Sequence, residues 1–263
     1  MAFVLKPCII TSMDTVKIKR TVSFALQGLN QLLWPAVCVN CKRCICETDN
    51  SLCRDCWSQL IACTGADYCS GCGKDVSRFA LLEGVCPNCQ GEKKHFGQIA
   101  RAGFYIDALR KMILSFKQGC TELDSILGFL ANSALQGSDF YNDIDFLVPV
   151  PLHWSRRLVR GYNQSSVLVK KIRCRTEKIS TDLVRIRQTK AQTAMISSAA
   201  RTKNVAGAFA VRYNHNFAGR NICLVDDIKT SGATLNECAR VLREAGAVKV
   251  FALVLAVAGQ QRA

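Results

Sequence analysis

Four Cys-x-x-Cys pairs between residues 38 and 89 constrain the fold of this chain more than any other feature of its sequence. The pairs are Cys38/Cys41, Cys53/Cys56, Cys69/Cys72 and Cys86/Cys89. Zinc takes four thiolates tetrahedrally, and two intervening residues let one tight turn present both sulfurs to one ion. The spacing predicts two closed, structural zinc sites. Reduced structural cysteines or a redox pair are the alternative.

The sequence leaves the grouping of these cysteines open. Pairing in sequence order is simplest, with Cys38, Cys41, Cys53 and Cys56 in one site and Cys69, Cys72, Cys86 and Cys89 in the other. An interleaved arrangement is an alternative. Cys44 and Cys46 add further possibilities, because Cys41-x-x-Cys44 has the same spacing.

The distribution of cysteines also bears on the compartment. Twelve of the 16 cysteines precede residue 90, and a larger cysteine-poor remainder follows them, which is unlike a secreted disulfide scaffold. No uninterrupted apolar run approaches 18 residues, so no membrane insertion is predicted. We expect a cytoplasmic protein, with residues 1–34 as an extension containing an amphipathic helix over 21–34. Met13 is an alternative start to Met1.

Positive charge is concentrated in one part of the chain. The formal net charge is +15, and residues 151–220 contain 15 basic and 2 acidic residues, which gives +13 for this segment alone. Such a concentration of positive charge in one segment indicates an anionic ligand, either a polyphosphate or a nucleic-acid backbone. A solvated basic face is the alternative interpretation.

After the cysteine-rich residues 35–95, the sequence pattern changes to that of an α/β domain over 96–263. Strands are predicted at 99–106, 146–150, 182–185, 221–225 and 248–257, and helices at 107–116, 165–174 and 235–245. Alternating strands and helices favour a mainly parallel sheet covered on both faces. Ligands of such sheets bind at the carboxyl ends of the strands.

One strand end carries a chemically specific pattern. An apolar strand is followed by Asp226 and Asp227, by the turn Thr230-Ser231-Gly232, and by a helix. The backbone N–H groups and hydroxyls of 230–234 suit a phosphate at a helix N-terminus. The two carboxylates suit vicinal sugar hydroxyls, so the segment predicts a ribose 5-phosphate site. A helix cap and turn without a ligand are the alternative.

The segment 225–234, Val-Asp-Asp-Ile-Lys-Thr-Ser-Gly-Ala-Thr, resembles the 5-phosphoribosyl-1-diphosphate (PRPP) motif of type I phosphoribosyltransferases. Over about residues 20–258 the chain resembles the ComF (competence protein F) family of bacteria, which joins a double zinc ribbon to a type I phosphoribosyltransferase fold. Three further blocks support this: Pro-Val-Pro-Leu-His-Trp at 149–154, Arg-Gly-Tyr-Asn-Gln at 160–164, and the segment 189–209. The departures are Ser231, where Thr is usual, and Lys229, where an apolar or aromatic residue is common.

The resemblance implies roles for individual residues. Asp226 and Asp227 would contact the ribose hydroxyls, and 230–234 the 5-phosphate. The PRPP-binding residues are thus Asp226, Asp227, Ile228, Lys229, Thr230, Ser231, Gly232, Ala233 and Thr234. The diphosphate and lid candidates are His153, Arg156, Arg157, Arg160, Gln192, Arg201 and Asn204. Mg²⁺ would accompany PRPP, bound mainly by the diphosphate, hydroxyls and water. For His153, beside Trp154, a structural role is favoured over catalysis.

Three functions stay open at this point. The first is phosphoribosyl transfer to an unknown acceptor. The second is a PRPP-binding accessory role in DNA uptake, as the family name implies. The third is a non-catalytic zinc-ribbon factor that binds nucleic acid or DNA-processing proteins. DNA contact would involve basic residues of 151–220, with Arg173, Arg175, Lys178, Arg185 and Arg187 as candidates. Aromatic residues are scarce there, which is unfavourable for stacking on single strands.

Overall fold

A computed structural model describes residues 36–45, 51–65, 67–92, 94–173, 178–189 and 197–259. The helix predicted over 21–34 lies outside these residues. The chain divides into two compact units, Met1–Cys53 and Arg54–Ala263, which are described in turn. Among the described residues, no helix is both long and apolar enough to cross a bilayer.

The first unit contains a tight cysteine turn. Val37 forms an antiparallel bridge with Cys44. Within the turn, the Cys38 N–H donates to the Arg43 carbonyl at 2.8 Å and the Lys42 N–H to the Cys38 carbonyl at 2.8 Å. Lys42 has a φ of 61°, which closes the turn in the left-handed region.

The second unit is an α/β structure. Its helices are α1 (Arg54–Ala62), α2 (Asp107–Lys117), α3 (Asp124–Gln136), α4 (Trp154–Arg160), α5 (Gln164–Val169), α6 (Ser198–Val205) and α7 (Ala233–Glu244). Its strands are β1 (Ile99–Phe104), β2 (Phe146–Pro149), β3 (Leu183–Arg185), β4 (Phe209–Val211), β5 (Asn221–Lys229) and β6 (Lys249–Val257).

Four strands form one parallel sheet in the order β1-β6-β5-β2. Strands β3 and β4 form a separate antiparallel pair. Every residue of β6 after Lys249 is buried, as expected for a parallel strand covered on both faces. The predicted α/β class with a mainly parallel sheet is confirmed.

The two faces of the sheet pack against different helices. α7 contacts β5 and β6. The hydrophobic core cluster that contains the buried side of α7 also contains Ile222, Leu224, Val250 and Ala252. Side chains alternate along a strand, so the residues between them point to the other face. There α3 contacts β1 and β6, and α5 contacts β2 and β5.

Strand β5 differs from its predicted extent. The sequence pattern ended the strand at Val225, but pairing with β6 continues through Asp226, Ile228 and Lys229. The two aspartates therefore lie near the carboxyl end of a paired strand rather than in a loop. Helix α5 ends at Val169, earlier than predicted, and α1, α3, α4, α6 and β4 were not predicted.

Candidate functional site

The turn after β5 is short and rigid. It consists of Thr230, Ser231 and Gly232, and α7 begins at Ala233. Gly232 has a φ of +83°, and a Cβ there would lie 2.9 Å from the Cε atom of Lys229. Only glycine adopts this conformation in this space without strain. The backbone thus directs the N-terminus of a 12-residue helix towards the carboxyl end of β5, an arrangement suited to an anion.

The two aspartates lie in β5, two residues before this turn, and other parts of the chain contact both. The Ser165 hydroxyl donates to Asp226 Oδ1 at 3.1 Å, as does the Asp227 N–H at 2.9 Å. The ammonium group of Lys117, at the end of α2, lies 2.9 Å from Asp227 Oδ2. Side chains of two separate helices, α2 and α5, therefore meet the end of β5.

The acid pair is electrostatically unusual. Burial, and then the neighbouring Asp227 carboxylate, raise the pKa of Asp226 to about 7, although Lys117 and Ser165 act in the opposite direction. Two adjacent carboxylates in a desolvated site do not ionise independently. We therefore expect the acid pair to take up a proton at a higher pH than an isolated aspartate would.

Arg156, Arg160 and Arg185 form a chain of neighbouring guanidinium groups, and Arg185 is the one on which the charge of Asp226 acts. Arg156 donates to the Thr189 carbonyl at 2.8 Å, and Arg185 donates to the Thr189 hydroxyl. Burial and then Arg160 lower the pKa of Arg156, whereas burial and then Arg156 lower that of Arg185. The charged forms of Arg156 and Arg185 are thus destabilised by burial and by a neighbouring guanidinium group, and a polyanion would relieve this.

The structure sorts the predicted arginines into two sets. Arg156 and Arg160 are half-buried, whereas Arg157 on the same helix is exposed. Arg185 is both a nucleic-acid candidate and the first residue of the stretch 185–209, which resembles the mobile loop that closes over PRPP in related transferases; the charges of Arg156 and Asp226 both act on it. Its Nε atom is buried without a hydrogen-bond partner in the part of the chain that the structure describes. Arg185 therefore joins Arg156 and Arg160 as a candidate diphosphate contact.

The block at 160–164 connects the surrounding elements. Arg160 donates to Gln164 Oε1 at 3.2 Å, and the Tyr162 hydroxyl donates to the Phe116 carbonyl. Asn163 donates to the Val150 carbonyl at 3.0 Å and accepts from the Ser165 N–H at 3.2 Å. These bonds join the ends of α2 and β2 to the start of α5.

His153 is the N-cap of α4. Its Nδ1 atom accepts from the Ser155 N–H at 3.3 Å and lies 2.8 Å from the Ser155 hydroxyl. The residue is only 5% exposed. These contacts give His153 a capping role in the helix that carries Arg156 and Arg160.

The remaining lid candidates lie apart in sequence from these groups. Arg201 and Asn204 belong to α6, which packs against α7. Arg187 donates to the Asn204 carbonyl at 3.3 Å, which ties the end of α6 to the residues after β3. Gln192 lies outside the described residues.

The cysteines form two groups of four in sequence order. The sulfur atoms of each group all lie within 4.8 Å of one another; the groups are Cys38, Cys41, Cys53 and Cys56, and Cys69, Cys72, Cys86 and Cys89. The Cys41–Cys53 and Cys72–Cys86 sulfur distances are 3.7 and 3.8 Å. A tetrahedral site with Zn–S bonds of about 2.3 Å has sulfurs about 3.8 Å apart. Each group can therefore hold a zinc ion.

Among the described cysteines, Cys44 belongs to neither group, and its side chain is exposed. Cys46 lies outside the described residues. The in-order grouping replaces the interleaved alternative.

Hydrogen bonds from nearby groups surround the second cysteine group. The Cys86 N–H donates to Cys69 Sγ at 3.1 Å, and Lys94 donates to Cys89 Sγ at 2.9 Å. Burial alone would raise the pKa of Cys69, but the N–H groups of Cys86 and Cys72 lower it to about 7. Such bonds stabilise thiolate ligands.

The same cysteine group is attached to the sheet. The Ile99 N–H donates to the Ser70 carbonyl at 2.8 Å. Gly73 has a φ of +72°, and a Cβ there would lie 3.0 Å from Val257. Val257 in turn is the register partner of Lys229, which lies beneath the turn after β5.

Comparisons with known proteins identify the family. No protein-family profile matches the chain. Competence protein ComFC of Bacillus subtilis is 30% identical over 79% of this chain and 85% of that protein, and ComFC of Streptococcus pneumoniae is 30% identical over 78% and 88%. Competence protein F of Haemophilus influenzae is 28% identical over 81% and 93%. The chain belongs to the ComF (competence protein F) family.

Two solved structures are similar at low scores. The allosteric regulatory enzyme of purine biosynthesis has a TM-score of 0.33 and 19% identity over 51% of this chain and 26% of that one. A hypoxanthine phosphoribosyltransferase from Staphylococcus aureus has a TM-score of 0.31 and 11% identity over 50% and 62%.

Proposed function

We propose that the chain binds PRPP and transfers its phosphoribosyl group to an acceptor nucleophile. One observation supports this above all: the acid pair and the Thr230–Thr234 segment lie at the end of one strand, with the arginine cluster beside them. These groups match, in order, a sugar diol, a 5-phosphate and a diphosphate. In this proposal, positive groups of the site face the negative groups of PRPP.

Each group has a separate task in this reaction. The N–H groups of the turn and of α7 bind the 5-phosphate, since they are donors at the positive end of a helix. Asp226 and Asp227 accept hydrogen bonds from the sugar hydroxyls. The C1–O bond to the diphosphate breaks as the acceptor bonds to C1, and Arg156, Arg160 and Arg185 stabilise the charge on the leaving group.

Mg²⁺ bound with PRPP would neutralise further charge on the diphosphate. Its ligands would be mainly diphosphate and hydroxyl oxygens and water, because Mg²⁺ seldom has an all-protein cage. The two zinc ions would be structural, since four cysteines complete the coordination of each. We also propose that residues 35–95 form the double zinc ribbon and that residues 96–263 form the phosphoribosyltransferase-like domain.

An accessory role is the second candidate function. It is favoured by His153, which caps α4, and by the names of relatives, which include DNA utilization protein YhgH of Escherichia coli at 34% identity over 40% of this chain and 46% of that protein. In this role the chain binds PRPP in the cytoplasm and acts with DNA or DNA-processing proteins in DNA uptake, without transfer chemistry.

Calorimetry with PRPP and Mg²⁺ tests the shared part of both functions. We expect saturable binding to the wild type, and its loss in D226N and D227N. A wild type that does not bind PRPP would contradict both. Measurement of pyrophosphate release across a set of bases and amines then separates them: release that requires one acceptor supports transfer, and binding without release supports the accessory role.

A further inference from the structure

Lys117 is a charged residue of the site that lies outside every sequence motif. It is the last residue of α2, 110 positions before its partner, and its ammonium group lies 2.9 Å from Asp227 Oδ2. The two side chains are 21% and 12% exposed. Such a pair differs from a surface ion pair, because solvent screens it only weakly.

The helix end that carries Lys117 is fixed in place. The Tyr162 hydroxyl donates to the carbonyl of Phe116, the residue before Lys117, and the two rings are 5.6 Å apart. The Gln118 N–H closes the helix on the Leu114 carbonyl at 3.1 Å. Lys117 is therefore positioned by the same block that carries Arg160.

The charge of Lys117 acts on both carboxylates. Asp226 is next to Asp227 and is faced by groups from four other elements: Lys117 of α2, Ser165 of α5, Arg185 of β3 and Cys238 of α7. Among these, Lys117 also contacts Asp227 directly. Removal of this cation would leave two adjacent buried carboxylates with less compensation, and one of them would take up a proton.

We propose that Lys117 is a positioning residue of the sugar site: its ammonium group orients the Asp227 carboxylate and keeps the acid pair able to accept hydrogen bonds from sugar hydroxyls. This inference rests on the proposed binding of PRPP. A protonated carboxyl loses part of its acceptor capacity, so Lys117 would govern the pH range over which the site recognises a vicinal diol.

The first test needs no ligand. The protein is labelled with ¹³C-aspartate, the Asp226 carboxyl resonance is assigned with D226N, and its titration midpoint is compared in the wild type, K117M, K117R and K111M. Lys111 is an exposed lysine on the same helix and serves as the matched control. We expect an upward shift of about one pH unit or more in K117M, and midpoints near the wild-type value in K117R and K111M.

An unchanged midpoint in folded K117M would overturn the inference. If K117M does not fold, the ¹⁵Nζ resonance of Lys117 is measured in the wild-type protein instead. A resonance protected from exchange, which changes as the acid pair titrates, supports the role. A rapidly exchanging ammonium group that is insensitive to that titration overturns it.

The second test is PRPP affinity against pH. We expect K117M to bind about tenfold or more weakly at pH 7.5, with its loss of binding on acidification displaced to higher pH. K117R and K111M should follow the wild type. A wild type that fails to bind PRPP, with the Asp226 midpoint still shifted in K117M, refutes the function but leaves the charge role. Equal affinities and equal midpoints in wild type and K117M refute the inference alone.

Discussion

The Cε atom of Lys229 lies 2.9 Å from the point where a side chain on Gly232 would begin. Lys229 is only 5% exposed, and its carbonyl accepts from the Ala258 N–H at 2.8 Å. The last residue of β5 is thus fixed by the sheet, while its side chain fills the space below the turn. A Cβ at position 232 would therefore require the end of the Lys229 side chain to move, in addition to the strain of a positive φ.

The first prediction concerns this turn. G232A should lower the free energy of unfolding by at least about 1–2 kcal/mol, because an L residue is strained at positive φ, and contact with Lys229 adds to this. Urea denaturation measures the loss. G91A is the control, since a Cβ on Gly91 meets nothing within 4 Å. Similar losses in both variants would show that neither the positive φ nor the contact with Lys229 constrains position 232.

The second prediction concerns the metal sites. Native mass spectrometry should find two zinc ions per chain, one in C38S, one in C69S and two in C44S, because Cys44 belongs to neither group of four. Loss of a structural zinc site should also lower the melting temperature, since metal binding contributes to folding. Two ions retained in C69S, or one lost in C44S, would contradict the grouping.

Zinc at the second group should also affect the turn. Gly73, next to Cys72, packs on Val257, which pairs with Lys229 below Gly232. We therefore predict that C69S binds PRPP more weakly than the wild type even at temperatures where it is fully folded. Calorimetry well below the melting temperature of the variant measures this. An affinity equal to that of the wild type would show that the turn does not depend on this metal site.

A further prediction follows from the raised pKa of Asp226. The native state favours the protonated carboxyl, so this group's contribution to stability is present below its ordinary pKa and lost as the pH rises through about 7. D226N lacks this loss. It should melt above the wild type at pH 8, and the difference should shrink towards pH 5.

Scanning calorimetry at both pH values measures the effect, with D139N, at an exposed aspartate, as the control. A difference between D226N and the wild type that stays constant with pH would mean that Asp226 is not the group concerned. The same substitution should abolish binding of PRPP, so that this residue trades stability for function.

Some parts of the fold and of the candidate site could be predicted from the sequence, and others could not. The turn and the cysteine groups could be predicted because their residues are close in sequence and their chemistry is specific. The predicted end of β5, at Val225, was wrong. Two aspartates disfavour a strand locally, and only pairing with β6 extends the strand to Lys229.

Lys117 and Arg185 were beyond sequence reasoning for a different reason. A lysine at a helix end and an arginine in a short strand are ordinary features of a basic chain. Their individual roles depend on proximity to Asp227 and Asp226, respectively, which only the fold brings near. Helix α3 was missed as well. Its Gly128 weakens the helical pattern, although the structure uses that glycine for close packing, since a Cβ there would lie 2.4 Å from Lys171.

The last prediction separates the arginines. Arg156 and Arg185 are part-buried and repel each other, so replacing either one removes a group that is destabilised in the free protein and stabilised by a bound diphosphate. R156Q and R185Q should each weaken PRPP binding by about 1.5–3 kcal/mol, with a much smaller effect on ribose 5-phosphate, which lacks the diphosphate. Exposed Arg157 is the matched control, and R157Q should bind both ligands as the wild type does. Competition calorimetry with the two ligands measures the difference. If R185Q weakened both ligands equally, or if R157Q had the larger effect, the diphosphate would bind elsewhere than at the buried arginines.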